Sequence, residues 1–422
     1  MQLRQALIAA AAFTTAVAAQ TAVSSAQSIK IGLIEPYSGR VAAVGTDVLR
    51  QWNYLADNIN KAGGVLGGRK LEIVALDNAM VAERTIQQLK SAIDQNIRIV
   101  AQGVGSNHAI NIIKYLGRHN QRNPDKSVLY LNHSAVTTAF TGKLCSFWHF
   151  RFDANVDQKV AGLVTGIKAD KSVKKIYMIN QNYAYGKSFR AAAIRLLKAR
   201  AKGVKLVGDE LIVPFGKVQD FTPYIAKIKN SGADTVLTGN WGPDLVRFVK
   251  AAAASGLKVQ FYTIYGGITS SIAGYGPKAG LAVNIKQINE HHENTAVPPR
   301  VVTLAAGYRK LHGSSWYSDR YRVTLEMLAN AINKAKSDNP KAIAYALEGM
   351  TIDNGPLGKA TMRTKDHQIH FPLIVSAMTP TAKVPFIYNN NNFKIGWRTT
   401  ATAPVSDLTL PTVCKMKRPK KG

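Results

Sequence analysis

Apolar residues follow two patterns along this chain. Some form short runs rich in β-forming residues, and others recur with a helical period over longer stretches. Residues 29–34 predict a first strand, and the helix that follows places Leu49, Trp52 and Leu55 on one face. Later runs predict strands at 71–77, 97–102, 128–131, 175–180, 206–213, 235–239 and 259–264. Strands that alternate with amphipathic helices are typical of an α/β protein with parallel sheets.

The alternation stops near residue 145 and starts again, which predicts two lobes. A chain of 422 residues also exceeds what one hydrophobic core usually supports. We predict two doubly wound, Rossmann-like lobes, the first from residues 27–148 plus 288–352 and the second from 149–287 plus 353–422. The chain would then cross between the lobes three times, which predicts a hinge and a cleft.

Residues 1–26 have the order of a secretory signal peptide. Arg4 supplies a positive charge, residues 6–13 are apolar, and residues 16–19 are small enough for cleavage. The apolar run is shorter than the roughly 20 residues of a membrane span. We therefore expect a cleaved signal and a soluble mature protein in the periplasm.

The formal net charge is +30, with 55 Lys and Arg against 25 Asp and Glu. A balance this basic suits nucleic acid, an anionic membrane surface or acidic ligands. The basic residues are spread along the whole chain without an arginine-rich helix or a zinc-finger motif, so we expect no nucleic-acid partner. The densest run, residues 415–421, predicts a frayed and solvated end.

The chain has two cysteines, Cys145 and Cys414, far apart in sequence. In an oxidising compartment they predict one disulfide, and two separately buried thiols are the alternative. We predict that they pair and hold the basic tail near the hinge. The clusters at 291–293 and 366–370 lack the spacing of a zinc site, so we predict neither a metal nor a cofactor.

The usual nucleotide and hydrolase motifs are absent from the sequence, which favours a binding protein over an enzyme. Small and aromatic residues instead recur where strands lead into helices, and such junctions hold ligands in open α/β sheets. Ser106 offers a hydroxyl donor there, although a helix cap is an equally good interpretation. Tyr185 and Trp241 are either core aromatics or cleft residues, and the glycines beside them favour the cleft.

Several short segments together resemble one known family. They are Ile29-Lys30-Ile31-Gly32 with Tyr37-Ser38-Gly39, Asn58 to Gly64, Tyr183-Ala184-Tyr185-Gly186, Asp220 to Ile225 and Gly232-Ala233-Asp234. In this order they are similar to type I periplasmic solute-binding proteins of the branched-chain amino acid group, which serve ABC importers. The resemblance covers essentially the whole mature chain and implies two lobes that close on a small ligand.

The resemblance also implies which residues contact the ligand. Ser106 matches a hydroxyl donor, Ser134 and Val136 match contacts of the next loop, and Tyr185 and Trp241 match an aromatic wall. The full set of predicted ligand-binding residues is Ser106, Asn107, Ser134, Ala135, Val136, Tyr185, Trp241 and Tyr265.

Two positions depart from the family pattern. Tyr265 stands where a carboxylate normally faces the ligand's ammonium group, and Val44 stands where a larger aromatic often covers its side chain. We therefore expect a small carboxylate ligand, with an aromatic or non-standard amino or organic acid preferred over leucine. The expected partner is a membrane permease, the expected state is a monomer, and an extracellular enzyme or a sensor-associated receptor is the alternative.

Overall fold

The computed structural model describes residues 27–212, 215–316, 318–383 and 393–420. Its strands are β1 (Ile29–Glu35), β2 (Leu71–Asp77), β3 (Ile99–Gln102), β4 (Leu129–Asn132), β5 (His149–Arg151), β6 (Lys175–Gln181), β7 (Lys205–Ile212), β8 (Thr235–Thr238), β9 (Gln260–Thr263), β10 (Ile285–Asn289), β11 (Thr351–Gly355), β12 (Gly358–Met362), β13 (Ile369–His370), β14 (Leu373–Pro380) and β15 (Ile395–Ala403).

The α-helices are α1 (Ala42–Lys61), α2 (Ala82–Asp94), α3 (Ser106–Arg122), α4 (Val156–Ala169), α5 (Ala184–Arg200), α6 (Thr222–Asn230), α7 (Gly242–Ala254), α8 (Thr269–Tyr275), α9 (Pro277–Ala282), α10 (Pro299–His312), α11 (Asp319–Ala335), α12 (Pro340–Leu347) and α13 (Val405–Leu408).

The first lobe contains a five-stranded parallel sheet in the order β2-β1-β3-β4-β5. Strands β3, β4 and β5 are buried along their whole length, because helices cover both faces of the sheet. Helices α10 to α12 return to this lobe, where the Tyr54 hydroxyl of α1 donates to the Leu304 carbonyl of α10 at 2.9 Å.

The second lobe contains a seven-stranded sheet in the order β15-β14-β10-β9-β8-β6-β7. Strands β6 to β10 run parallel, whereas β14 and β15 add an antiparallel edge. A small antiparallel sheet, β11-β12-β13, lies in the part of the chain between α12 and β14. The predicted two-lobe, doubly wound α/β fold is confirmed.

Sheet membership differs from the predicted lobe boundaries at all three places. Residues 149–151 were assigned to the second lobe, but as β5 they pair with β4 in the first sheet. Residues 288–289 were assigned to the first lobe, but they belong to β10 of the second sheet. Residues 353–370 were assigned to the second lobe, but Gln368 pairs with Arg151 of β5. The segments that connect the lobes are therefore 152–155, 290–298 and 371–372.

The predicted disulfide between Cys145 and Cys414 is present, with Cα atoms 5.7 Å apart. The residues around Cys414 are not the frayed end that the charge run predicted. The Thr412 hydroxyl donates to the Thr141 carbonyl at 2.7 Å, and Arg418 donates to the Thr364 carbonyl at 2.7 Å. The tail is therefore fixed along the first lobe.

The predicted signal peptide, residues 1–26, lies outside the described residues. Among the helices that the structure describes, none combines the length and the apolar character needed to cross a bilayer.

Candidate functional site

A cavity lies between the two lobes. It is bordered by the loops that follow β3 and β4 of the first sheet and β6, β8 and β9 of the second. These are carboxyl ends of strands, where open α/β sheets bind ligands. Its lining residues are Val44, Asp47, Val48, Gly103, Val104, Gly105, Ser106, Ser134, Ala135, Val136, Tyr183, Tyr185, Trp241, Tyr265, Ile268, Ser318, Arg320 and Tyr321.

The first-lobe side of the cavity, here the polar wall, consists mainly of the loops at 103–106 and 134–136. Ser106 does not cap α3 as the sequence suggested, because Gly105 takes the cap position with φ of 94° and Ser106 is the first helical residue. The Ser106 hydroxyl accepts a long hydrogen bond from the Thr137 backbone N–H at 3.4 Å. It therefore stands at a helix N-terminus, where anionic groups are stabilised.

A buried carboxylate, Glu35 at the end of β1, connects the two loops of the polar wall. It accepts hydrogen bonds from the backbone N–H groups of Gly103, at 2.5 Å, and Val104, at 3.1 Å. His133 Nε2, in the other loop, lies 2.8 Å from the same carboxylate. Since hydrogen bonds from N–H groups to a carboxylate are strong, the loop at 103–104 is held to β1 before any ligand arrives, and His133 of the other loop lies against the same carboxylate.

The second-lobe side, here the aromatic wall, contains Tyr183, Tyr185, Trp241 and Tyr265. The Trp241 indole N–H donates to the Tyr183 hydroxyl at 2.7 Å, and its ring stacks on Phe215 with centroids 4.8 Å apart. Trp241 is 5% exposed, and its orientation is set by partners on both sides. An indole held in this way presents a rigid surface to a bound ring or apolar group.

The glycines beside these aromatic residues allow close backbone packing and do not mark solvent-exposed loops. A Cβ on Gly186 would stand 1.7 Å from the Gln181 carbonyl oxygen, so only glycine allows α5 to start so close to β6. Gly242 has φ of 59°, a conformation that glycine adopts without strain. Tyr185 and Trp241 do line the cavity, as expected, but both are buried and the glycines beside them do not mark exposed loops.

Contacts between the lobes surround the cavity. The Tyr265 hydroxyl of the second lobe donates to the Ser134 carbonyl of the first lobe at 3.4 Å. Nearby, the Thr138 backbone N–H donates to the Ser188 hydroxyl at 3.2 Å. The two lobes thus touch each other across the cleft.

A chain of four buried charges lies where two crossings meet the cavity. Lys159 is 2.8 Å from Asp153, Asp153 is 3.5 Å from Arg320, and Arg320 is 2.9 Å from Glu290. Arg320 Nε also donates to the His133 carbonyl at 3.0 Å and to the Ser134 hydroxyl at 3.2 Å. The two positive and two negative charges balance, and they join the crossings at 152–155 and 290–298 to the polar wall.

Asp47, on α1, adds a carboxylate to the polar wall. It accepts from Gln51 Nε2 at 3.0 Å and lies 3.4 Å from the Tyr308 hydroxyl. Burial raises its pKa from 3.8 to about 6, and the nearby Arg50 opposes part of that rise.

Seven of the eight predicted ligand-binding residues lie around this one cavity. Asn107 is the exception, because it is an exposed residue on the outer side of α3. Asp47, Tyr183, Arg320 and Tyr321 also line the cavity and were not predicted, although the amphipathic pattern of α1 marked the helix that carries Asp47.

The two clusters that resembled metal sites have other partners. His367 contacts Glu348 at 2.8 Å and stacks on Phe150, whereas His292 bonds to the Thr399 hydroxyl at 2.9 Å. Among the residues whose positions are described, no group of three His, Cys, Asp or Glu is arranged to hold a metal ion.

Comparison with known proteins identifies the family of this chain. The family model described as "Periplasmic binding protein" matches residues 28–382. The Leu/Ile/Val-binding protein homolog 4 of Brucella abortus is 32% identical over 98% of both chains. The Leu/Ile/Val-binding protein of Escherichia coli is 23% identical over 79% of this chain and 86% of its own.

Solved structures agree with this assignment. The leucine-, isoleucine-, valine-, threonine- and alanine-binding protein of Brucella ovis, in a closed conformation, is 30% identical and superposes with a TM-score of 0.82 over 93% of this chain and 100% of its own. An R. palustris solute-binding protein in complex with 4-hydroxybenzoate is 18% identical and shares the fold, with a TM-score of 0.73 over 89% of this chain and 97% of its own. The chain belongs to the periplasmic binding proteins, in the type I group of Leu/Ile/Val-binding proteins.

Proposed function

We propose that this chain is the extracytoplasmic substrate-binding protein of an ABC importer and that it holds a small carboxylate-bearing ligand in the interlobe cavity. The main support for this proposal is that a polar wall and an aromatic wall face each other across the interlobe cavity. Hydroxyl and helix N-terminal donors stand on the first lobe, and aromatic rings stand on the second. Such a site selects both the charge and the shape of what it encloses.

The polar wall supplies the donors for the ligand's carboxylate. Ser106 lies at the positive end of α3, and Ser134 follows β4 in the loop fixed by Glu35. The Arg320 guanidinium lies behind Ser134 and adds positive charge, although Glu290 and Asp153 balance part of it. A carboxylate is therefore the ligand group that Ser106, Ser134 and the N-terminus of α3 suit best, whereas the Asp47 carboxylate on the same wall favours a positively charged group of the ligand.

The aromatic wall favours a flat or apolar group beyond that carboxylate. Tyr265 presents a neutral hydroxyl, and Tyr185 and Trp241 present ring faces. We propose an aromatic or otherwise non-standard amino or organic acid as the preferred ligand over leucine. Relatives described with 4-hydroxybenzoate and with branched-chain amino acids make both classes reasonable to test.

We further propose that ligand binding favours closure of the lobes about the three crossings. The contact between Thr138 and Ser188, and that between Arg40 Nη1 and the Gly216 carbonyl at 3.3 Å, join the lobes and would be lost in an open cleft. A ligand touching both walls stabilises the closed form because it gains contacts only there. A closed, monomeric form in the periplasm would then be the one presented to the membrane permease.

Calorimetric titration of the mature protein, residues 27–422, tests this function. Benzoate, 4-hydroxybenzoate, phenylalanine, leucine and valine form the panel, and we expect an aromatic acid to bind most tightly. Small-angle scattering with that ligand should show a smaller radius of gyration. Leucine binding that is tightest and that survives Trp241→Ala would contradict the ligand class, and conversion of the ligand to a product would favour the enzyme alternative.

Trp148→Ala is the matched control for Trp241→Ala. Trp148 is a half-buried tryptophan of the first lobe that does not line the interlobe cavity. Its removal should leave ligand affinity unchanged.

A further inference from the structure

A second depression, here called the back groove, lies on the first lobe at the end opposite the ligand cavity. It is lined by the second half of α3, residues 124–125, residues 144–148, the start of α12 and the tail 415–420. Residues 124–125 and 144–148 precede β4 and β5, so the groove stands at the amino ends of the strands whose carboxyl ends border the cavity. The groove is broad and open to solvent.

The back groove concentrates positive charge. Six of its cations form no ion pair with any residue in the described ranges: Lys114, Arg118, Lys341, Lys415, Lys417 and Lys420. A seventh, Arg418, is engaged by Glu348 at 2.9 Å, and Asp125 is the acidic residue of the lining. Like charges held together repel one another, and an anionic partner would relieve that repulsion.

The tail cations stand on a fixed backbone. The disulfide to Cys145 anchors Cys414, the Tyr345 hydroxyl donates to the Pro419 carbonyl, and Met416 packs against the core of the lobe. Lys341 Nζ also donates to the Lys420 carbonyl at 3.4 Å. Ordering this segment costs nothing further when a partner arrives, which favours binding.

We propose that the back groove docks the protein on an anionic phospholipid surface. Its cations are mostly exposed lysine side chains spread over a wide opening. Point charges on long stems match many headgroup phosphates at once. Because the groove is at the far end of the lobe, docking there leaves the ligand cavity open to solvent.

Vesicle sedimentation with the mature protein tests the proposal. Vesicles of phosphatidylcholine with 30% phosphatidylglycerol should retain the protein in 50 mM salt, release it in 500 mM salt, and differ from pure phosphatidylcholine vesicles by at least tenfold in bound fraction. The variant Lys415→Glu/Lys417→Glu/Lys420→Glu should lose that binding.

The matched control places the same three charge reversals on the second lobe, as Lys202→Glu/Lys229→Glu/Lys258→Glu. These lysines are exposed and their side chains form no ion pair with a described residue. We therefore expect both variants, which carry the same net charge, to keep their fold, and circular dichroism checks this. We expect the control to retain the binding of the parent protein. If both variants lose vesicle binding equally, binding depends on total charge and the proposed role of the back groove is wrong. Absence of binding to the anionic vesicles would also contradict the proposal.

A poly-glutamate competitor separates a lipid surface from an acidic protein segment. If the protein binds poly-glutamate through the same three lysines but does not bind anionic vesicles, the groove serves a protein partner and the lipid proposal fails. The proposal uses the periplasmic location from the proposed function but not the ligand cavity. Ligand binding in the cavity is measured separately, by the thermal shift that a cavity ligand produces. We expect this shift to be the same in the groove variant and in the parent protein.

Discussion

The polar wall and the aromatic wall of the ligand cavity differ in what holds them in place. The polar wall depends on buried charges, with Glu35 joining two loops and Arg320 connecting them to the crossings. The aromatic wall depends on ring contacts and neutral hydrogen bonds such as that between Trp241 and Tyr183. Removing a buried charge leaves its partner unpaired, whereas removing a ring leaves mainly space.

The comparison separates stability from selectivity. Substitutions behind the polar wall should chiefly lower the free energy of unfolding, because buried carboxylates need their partners. Substitutions in the aromatic wall should chiefly lower ligand affinity, because the rings contribute apolar contact area to the bound ligand. Four experiments test this division.

Arg320→Met should have the largest effect. It leaves Glu290 and Asp153 buried with fewer partners, which should lower the free energy of unfolding by about 3–5 kcal/mol, measured by urea unfolding without ligand. The control Arg300→Met removes an arginine that is 58% exposed and 2.9 Å from Glu326, and should cost less than about 1 kcal/mol. Equal costs would show that the buried charges do not stabilise the polar wall.

Trp241→Ala should weaken ligand binding by more than tenfold, a loss above about 1.4 kcal/mol measured by calorimetric titration. The indole contributes contact area from the second lobe and is oriented by Tyr183 and Phe215. Trp241→Phe keeps a ring there and should retain affinity within about threefold. If Trp241→Ala loses less ligand affinity than Trp241→Phe, the aromatic wall does not contribute to ligand recognition.

Asp47→Asn should stabilise the ligand-free protein by about 1–2 kcal/mol at pH 8 and by little at pH 4. The pKa of Asp47 is raised to about 6, so the folded protein holds this proton more tightly than the unfolded chain. Stability is therefore lost as the pH rises from about 4 to about 6, and asparagine removes that loss. Urea midpoints at both pH values measure it, and equal stabilisation at both would contradict an ionised, buried Asp47.

Ser106→Ala should have the smallest effect, a loss of ligand affinity of about three- to fivefold. It removes one hydroxyl donor but leaves the N-terminus of α3 in place. Asn107→Ala is the matched control, because its exposed side chain does not line the cavity and affinity should not change. If Asn107→Ala weakens binding as much as Ser106→Ala, the substitutions act through the helix rather than through the cavity.

The sequence predicted the fold more completely than the site. Strand positions such as 71–77 followed directly from runs of apolar and β-branched residues and agree with β2. Junction residues such as Ser106 and Trp241 were found because ligand sites in this architecture follow strand ends. Asn107 does not line the cavity because neighbouring helical residues point about 100° apart, which turns its side chain away from the cavity.

The charges behind the polar wall could not be read from the sequence. Asp153, Glu290 and Arg320 are separated by 30 residues or more and come together only because the chain crosses between the lobes three times. No local period marks such contacts. The docked tail was missed for a related reason, since a run of lysines resembles a solvated end unless the disulfide and its neighbouring hydrogen bonds are known.

The disulfide also changes what a protease can separate. Cys145 and Cys414 are separated by 269 positions in the sequence, and every described strand and helix of the second lobe lies between them. A single cut in any surface loop of that lobe therefore leaves both fragments covalently joined through the first lobe. Nicked protein would migrate as one species on a non-reducing gel and as two after reduction.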